Sequence, residues 1–176
     1  MKILITLLKP LSFLPAILVM LLIYEFSAQS GDISGTLSYQ VSYLIVEAKN
    51  EILNQGKSDF ELYYEAESIH YYVRKAAHMS IYFILAITVS FPLYVYKIRG
   101  FWLLLLAGII CAGFAGFDEY HQTFVDGRGG SLRDVGFDCI GSFVGILLVQ
   151  AFCWSTLHNP AQKSRKKRRK KHSSSR

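Results

Sequence analysis

The sequence is poor in charged residues and in cysteine. Asp, Glu, Lys and Arg make up 18% of its 176 residues and hydrophobic residues make up 52%, whereas about 25% charged is typical of soluble domains. This composition excludes an ordinary soluble domain and indicates a membrane protein. The three cysteines, Cys111, Cys139 and Cys153, all lie in apolar runs. They argue against a disulfide framework and are typical of small hydrophobic packing residues.

Acidic residues are absent from the end of the chain. Residues 163–176 contain nine Lys or Arg and no Asp or Glu, so the net charge of +6 describes this tail and not the body of the protein. Such a segment does not bury a core, and we predict a disordered polybasic tail over residues 157–176. Because it follows an apolar run, anionic lipid headgroups are the expected partner of the basic cluster between Lys163 and Lys171, and nucleic acid is disfavoured. A solvated tail that only enforces the topology is the alternative.

Long apolar runs recur four times, at about residues 5–26, 75–96, 101–120 and 132–154. Each suffices for a transmembrane helix, which needs about 20 residues. The first resembles a signal peptide, but Glu25 interrupts the expected cleavage region, which favours an uncleaved anchor. The sequence therefore predicts an all-α fold, with a four-transmembrane-helix bundle as one domain over residues 1–156.

Small residues recur at every fourth position in the last two apolar runs. Gly108, Ala112 and Gly116 share a face of the third run, and Gly141 and Gly145 share a face of the fourth. This spacing lets helix backbones approach closely. We therefore predict tight helix contacts at both stripes.

The connection 27–74 between the first two runs has a helical pattern. One face is marked by apolar residues at helical spacing: Val41, Leu44, Ile45, Ala48 and Ile52. This pattern predicts an amphipathic helix at about 36–54, lying on the membrane surface or packed on the bundle. Ser58 and Glu61 fit a capping box, which predicts a short second helix from that point.

The distribution of Lys and Arg predicts the orientation. With a cytoplasmic N terminus, 13 of the 19 basic residues lie inside, including Lys97 and Arg99 in the short loop between the second and third runs. The positive-inside rule favours this arrangement. Both termini are then cytoplasmic and the connection 27–74 is extracytoplasmic. We expect a multi-pass protein of the cell inner membrane or plasma membrane.

Polar side chains collect at the outward ends of the four predicted spans. They are Glu25, Gln29, Arg74, Lys75, His78, Asp118, Glu119, Gln122, Arg128, Asp134 and Asp138. Ionisable groups at the edge of a bilayer are costly unless they are paired or hydrated, so they predict a functional site. Two interpretations stay open: an outward-facing pocket that binds an ionic ligand, and an ion-pair network that only fastens the helices.

Three of these residues are candidates for catalysis. His78 beside carboxylates is a candidate general base, and Glu119 and Asp138 are the other candidates. Ser131 follows two glycines, which is more typical of a helix N-cap than of a nucleophile. The cluster contains potential metal ligands, but their spacing matches no metal motif. We therefore predict no metal and no cofactor.

These motifs resemble those of the VanZ-like family of membrane proteins. The resemblance covers roughly residues 11–152. It rests on EFSAQS after the first span, RKAAH opening the second, DEYHQ closing the third, and then Gly127, Arg128, Asp134, Asp138, Gly141 and Gly145. The family usually has Pro-Gly-Arg where this chain has Asp126-Gly127-Arg128, which changes the turn and keeps the charge. The resemblance implies four transmembrane helices, a cell-envelope context and, from the family's namesake, antibiotic resistance at a low level against the glycopeptide teicoplanin.

The residues and the resemblance together predict a function. We expect the outward pocket to bind an envelope lipid headgroup or a cell-wall precursor, and the protein thereby to modulate teicoplanin susceptibility. A membrane-embedded hydrolase or transferase that acts on a lipid headgroup is the alternative. A small transporter has little support, since no inverted repeat or broken-helix pair is visible.

Overall fold

The structure, a computed structural model, describes residues 9–157. The predicted tail and its lipid contacts between Lys163 and Lys171 lie outside this range. After a short 3₁₀ turn, Lys9–Phe13, all regular structure in the described chain is α-helical: α1 (Leu14–Ser27), α2 (Gly31–Ile52), α3 (Asp59–Val95), α4 (Phe101–Gln122) and α5 (Leu132–Leu157).

Four segments of the described chain are long and apolar enough to cross a membrane: Lys9–Ser27, Asp59–Val95, Phe101–Gln122 and Leu132–Ser155. This confirms the predicted all-α fold with four candidate spans. The first α-helix begins at Leu14, and Pro15 lies in its first turn, where its missing N–H has no intrahelical partner to lose. The cytoplasmic location of both termini stays a prediction.

The second span is much longer than expected. The short helix predicted from Ser58 and the second span form a single helix, α3, of 37 residues, so the prediction of two separate elements was wrong. Glu61 caps the start by accepting the backbone N–H of Ser58 at 2.8 Å, and no glycine or proline interrupts the sequence before Pro92. At 1.5 Å per residue α3 is about 55 Å long, against about 30 Å for the hydrocarbon core.

The N-terminal part of α3 forms a hairpin with α2, which begins at Gly31 and not near residue 36. Buried Val46 packs against Leu62 and Ala66 of α3. The apolar face that the sequence marked does not pack on the bundle: Val41, Leu44, Ile45 and Ile52 are exposed. The contact face of α2 is thus rotated away from its apolar stripe.

The most extensive packing between two helices joins α3 and α5. A Cβ atom on Gly141 would lie 2.2 Å from the Met79 carbonyl oxygen, and one on Gly145 would lie 2.6 Å from that of Phe83. The two glycines therefore permit a backbone approach that other residues would block. The stripe in α4 behaves differently, because a Cβ atom on Gly108 or Gly116 would meet nothing within 4 Å. The predicted close packing is present in α5 and absent at these glycines of α4.

Candidate functional site

The loop after α4 is fixed against the turn between α1 and α2. The backbone N–H of Gly31 donates to the carbonyl oxygen of Asp126 at 2.9 Å, and Nη2 of Arg128 donates to that of Phe26 at 2.9 Å. Gly127 has a φ of +67°, a conformation that glycine adopts without strain. This contact brings Arg128 to the ends of α1 and α2.

A cavity of about 430 Å³ opens between α1, α2, α3 and this loop. Its polar lining comes from Ser27, Gln29, Ser34, Ser38, Arg74, His78 and Arg128. Its apolar lining comes from Ile23, Phe26, Leu37, Val41, Val73, Ala77 and Ile81. No Asp or Glu of the described chain lines it, so the cavity combines cationic, hydroxyl and hydrocarbon surfaces.

Neither guanidinium group in the cavity has a carboxylate partner. Arg74 makes no hydrogen bond or ion pair within residues 9–157, and Nε of Arg128 is buried without a hydrogen-bond partner. Burial lowers the pKa of Arg128 below its ordinary value, nearby Arg74 lowers this pKa further, and Asp118 and Glu119 oppose the shift. An arginine still keeps its charge. The cavity therefore holds two guanidinium groups that form no ion pair with a carboxylate of the described residues.

The acidic residues lie behind the cavity, inside the bundle. Asp118, Glu119 and Asp138 have only 1%, 4% and 0% of their surface exposed. Gln122 donates through Nε2 to Oδ2 of Asp118 at 3.2 Å and to Oγ of Ser27 at 3.2 Å. These bonds connect α4 to α1 directly beside the cavity wall.

Glu119 holds the start of α5. Its Oε2 accepts the backbone N–H of Ser131 at 2.8 Å. Ser131 immediately precedes Leu132, the first residue of α5, so it occupies the helix-capping position that the sequence favoured for it. The close approach of Gly130, where a Cβ atom would lie 2.6 Å from the Glu119 carbonyl oxygen, makes this contact possible.

Most oxygen atoms of this acidic group are unpaired. Oδ1 of Asp118, Oε1 of Glu119 and both carboxylate oxygens of Asp138 are buried and have no hydrogen-bond partner. The imidazole of His78 is beside Asp138, with its Nδ1 3.9 Å from Oδ1. That distance is beyond hydrogen-bond length. Burying unpaired polar atoms is costly, so the arrangement is typical of a functional site and not of a packing element.

Lys75 and Asp134 form the one Lys-to-carboxylate ion pair among the predicted site residues within the described range, at 2.5 Å. The other charges are separated, with arginines in the cavity and carboxylates inside the bundle. This separation argues against a self-satisfied ion-pair network.

The predicted site residues thus divide into four groups. Gln29, Arg74, His78 and Arg128 line the cavity. Asp118, Glu119, Gln122 and Asp138 are buried in the adjoining interior, and Lys75 pairs with Asp134. Glu25 stands apart from these groups: its side chain is exposed and does not line the cavity.

The polar cavity residues of α2, Ser34 and Ser38, were missed from the sequence. With Ser42, which is fully buried, they form a stripe of hydroxyls four residues apart, and that spacing was a usable signal.

Among the described residues, no three His, Cys, Asp or Glu side chains are grouped so that they could hold a metal ion.

Four apolar spans with a polar cluster at one end define a multi-pass helical membrane protein. A model of the VanZ/LLP1 family matches residues 12–153. The chain therefore belongs to this family, which confirms the resemblance seen in its motifs. No curated protein and no solved structure matches the chain.

Proposed function

We propose that the cavity binds the anionic headgroup of an envelope lipid or of a lipid-linked cell-wall precursor, and that this binding modulates susceptibility to teicoplanin-type glycopeptides. The observation that carries the proposal is the pair Arg74 and Arg128, two guanidinium groups in one cavity whose lining contains no carboxylate. Guanidinium groups bind phosphate and carboxylate oxygens through paired hydrogen bonds. A bound anion would supply the counter-charge that the described chain lacks at this position.

The rest of the lining favours an amphipathic ligand. Leu37, Val41 and Ile81 belong to its apolar part, whereas Ser34 and Ser38 belong to its polar part. The volume of about 430 Å³ falls in the range of small-molecule sites, about 300–1,000 Å³. This volume suits a headgroup and the first part of a hydrocarbon chain.

The predicted orientation places the cavity on the extracytoplasmic side of the inner or plasma membrane. The loop that carries Lys97 and Arg99 lies at the opposite ends of the spans, where Lys9 contacts the Tyr96 ring at 5.7 Å. Lipid-linked cell-wall intermediates are used on the extracytoplasmic side, and glycopeptides act there. A protein that sequesters or presents such a component would change the response to teicoplanin.

The test compares Arg128→Ala with Arg133→Ala, which removes an exposed arginine near the start of α5. Full-length protein in nanodiscs is titrated with phosphatidic acid, a polyprenyl phosphate, phosphatidylcholine and inorganic phosphate. We expect Arg128→Ala to weaken binding of the phosphate-bearing lipids by at least about tenfold, since charge-assisted bonds contribute about 1.5–3 kcal/mol, and Arg133→Ala to bind like the wild type. An equal loss of lipid binding in the two variants would show that binding depends on surface charge, and it would reject the cavity as the binding site.

Teicoplanin susceptibility is measured in the same strains. A deletion strain that expresses Arg128→Ala should be as susceptible to teicoplanin as the deletion strain without the protein. A strain that expresses Arg133→Ala at equal membrane abundance should be as susceptible as the wild type. Full resistance with Arg128→Ala would separate the phenotype from the cavity and reject the functional part of the proposal. If inorganic phosphate bound more tightly than phosphatidic acid and the polyprenyl phosphate, a lipid ligand would be rejected.

A further inference from the structure

We infer that the cavity is a catalytic site for phosphate-ester hydrolysis, in which His78 acts as the general base on a water molecule and Asp138 positions and stabilises the imidazole. The inference rests on the proposed function, since the substrate is the phosphate-bearing lipid held by Arg74 and Arg128. It adds a reaction and two residue roles to what would otherwise be a binding site.

The geometry of His78 and Asp138 carries the inference. His78 lines the cavity, and its Nδ1 faces Oδ1 of Asp138 at 3.9 Å. Because the two ring nitrogens lie on opposite sides of the imidazole, Nε2 is the nitrogen available to a ligand. A carboxylate beside a histidine stabilises the imidazolium that forms when the histidine accepts a proton.

Helix packing holds this pair in place. Met79 follows His78 on α3, and its carbonyl oxygen is the atom that Gly141 approaches at the closest contact between α3 and α5. Gly141 is one turn after Asp138 on α5. The two backbones therefore meet directly beside the pair, and the positions of both side chains depend on this contact.

A purely structural role explains the pair less well. A pair that only joins two helices has no need of a cavity, yet the His78 side chain keeps 24% of its surface exposed and forms part of the cavity wall. Neither oxygen of Asp138 has a hydrogen-bond partner although the residue is fully buried. A carboxylate with free acceptor capacity beside an accessible imidazole is suited to proton transfer.

The charged groups around His78 fit the same role. Arg74 and Lys75 belong to its own helix, Arg128 comes from the loop after α4, and Asp134 and Asp138 come from α5. Asp118, Glu119 and the hydroxyl of Tyr82 lie in the adjoining interior. A phosphate held by the two arginines would neutralise their charge and lie next to His78.

The step balances without any further reagent. The oxygen of a water molecule bonds to phosphorus, and one water proton passes to Nε2 of His78. The ester P–O bond breaks on the opposite side of the phosphorus, and the departing alkoxide takes a proton back from the imidazolium through solvent. The products are the lipid alcohol and inorganic phosphate. The guanidinium groups of Arg74 and Arg128 stabilise the charge on the non-bridging oxygens.

The test measures binding and turnover on the same samples of full-length protein in nanodiscs, with phosphatidic acid and a polyprenyl phosphate as probes and release of inorganic phosphate as the readout. His78→Asn is compared with His70→Asn, the same substitution on the same helix outside the cavity, where Nδ1 of His70 contacts the Glu67 carbonyl oxygen at 2.7 Å. We expect His78→Asn to lower the rate by at least about 100-fold, the typical contribution of a general base, with lipid binding within about twofold, since Arg74 and Arg128 remain. His70→Asn should be unchanged.

Asp138→Asn tests the positioning role. It should lower the rate and move the acidic limb of the rate–pH profile to lower pH, because an amide does not stabilise the imidazolium. A wild-type protein that binds either lipid and releases no phosphate from it overturns the inference and leaves the proposed binding function intact. Turnover that survives His78→Asn also overturns it. If neither lipid binds, the proposed function fails together with the inference.

Discussion

Gly31 and Gly127 lie in backbone contact, so that a Cβ atom on Gly31 would be 2.0 Å from the Gly127 carbonyl oxygen. The contact joins the first residue of α2 to the loop that carries Arg128. Residues more than ninety positions apart thereby meet next to Arg128, which lines the cavity. The sequence alone gave no sign of this pair.

Gly31→Ala should separate the loop from α2. The obstructing atom is backbone and cannot rotate away, and overpacking of this kind costs about 1–3 kcal/mol. We expect a lower thermal unfolding temperature in detergent and weaker lipid binding, since Arg128 loses its position. Gly35→Ala is the matched control, because a Cβ atom there meets nothing within 4 Å. If Gly31→Ala left the unfolding temperature and lipid binding unchanged, the loop that carries Arg128 would not pack against the start of α2.

Gly141→Ala should disturb the pair His78 and Asp138 by moving α5 away from α3. The new methyl group would lie 2.2 Å from the Met79 carbonyl oxygen, again at a cost of about 1–3 kcal/mol. The rate of phosphate release should fall more than lipid affinity, since Arg74 and Arg128 are on α3 and the loop. Gly136→Ala on the same helix has open space around it and serves as the control. Equal behaviour of the two variants would contradict the packing described here.

Lys75 and Asp134 should show measurable energetic coupling. Their side chains are only 15% and 23% exposed, and contacting residues typically couple by about 0.5–3 kcal/mol. A double-mutant cycle on Lys75→Ala and Asp134→Ala, followed by chemical unfolding, measures this quantity. The hairpin pair Lys49 and Glu65 has one side chain that is 48% exposed, so its coupling should be smaller, within about 1 kcal/mol. A larger value for the hairpin pair would reverse this order.

The orientation predicts where added cysteines react. Gln55→Cys at the tip of the hairpin should label with a membrane-impermeant maleimide on intact cells, and Lys97→Cys should label only after the membrane is opened. The native cysteines are buried or half-buried in the spans, and the parent protein measures their background. Labelling of position 97 on intact cells would place the cavity on the cytoplasmic side.

The sequence predicted the four spans well because span length and apolar composition are local properties. The continuity of α3 from the hairpin into the second span was missed. The capping box at Ser58 and Glu61 identifies where a helix starts. The length of the helix depends instead on the absence of a helix breaker over more than thirty residues. The stripe of Val41, Leu44 and Ile45 indicated a helix correctly. It could not show that α2 contacts α3 through a different face.

The site was predicted as a group of residues but not as a geometry. Spacing placed Arg74 and His78 on one helix face, and both line the cavity. The rotation of each helix about its axis decides which charges meet, and side-chain spacing within one helix contains no information about that rotation. For this reason the sequence left an ion-pair network open as an interpretation, whereas the fold separates the arginines from the carboxylates and leaves Glu25 exposed.

The continuous helix α3 has a mechanical consequence. The end of α3 that belongs to the hairpin and the cavity residues Arg74 and His78 are parts of one continuous helix. Anything that pulls or tilts the projecting end outside the bilayer therefore moves the two side chains directly, and the spacing between guanidinium and imidazole on that helix stays constant as it moves.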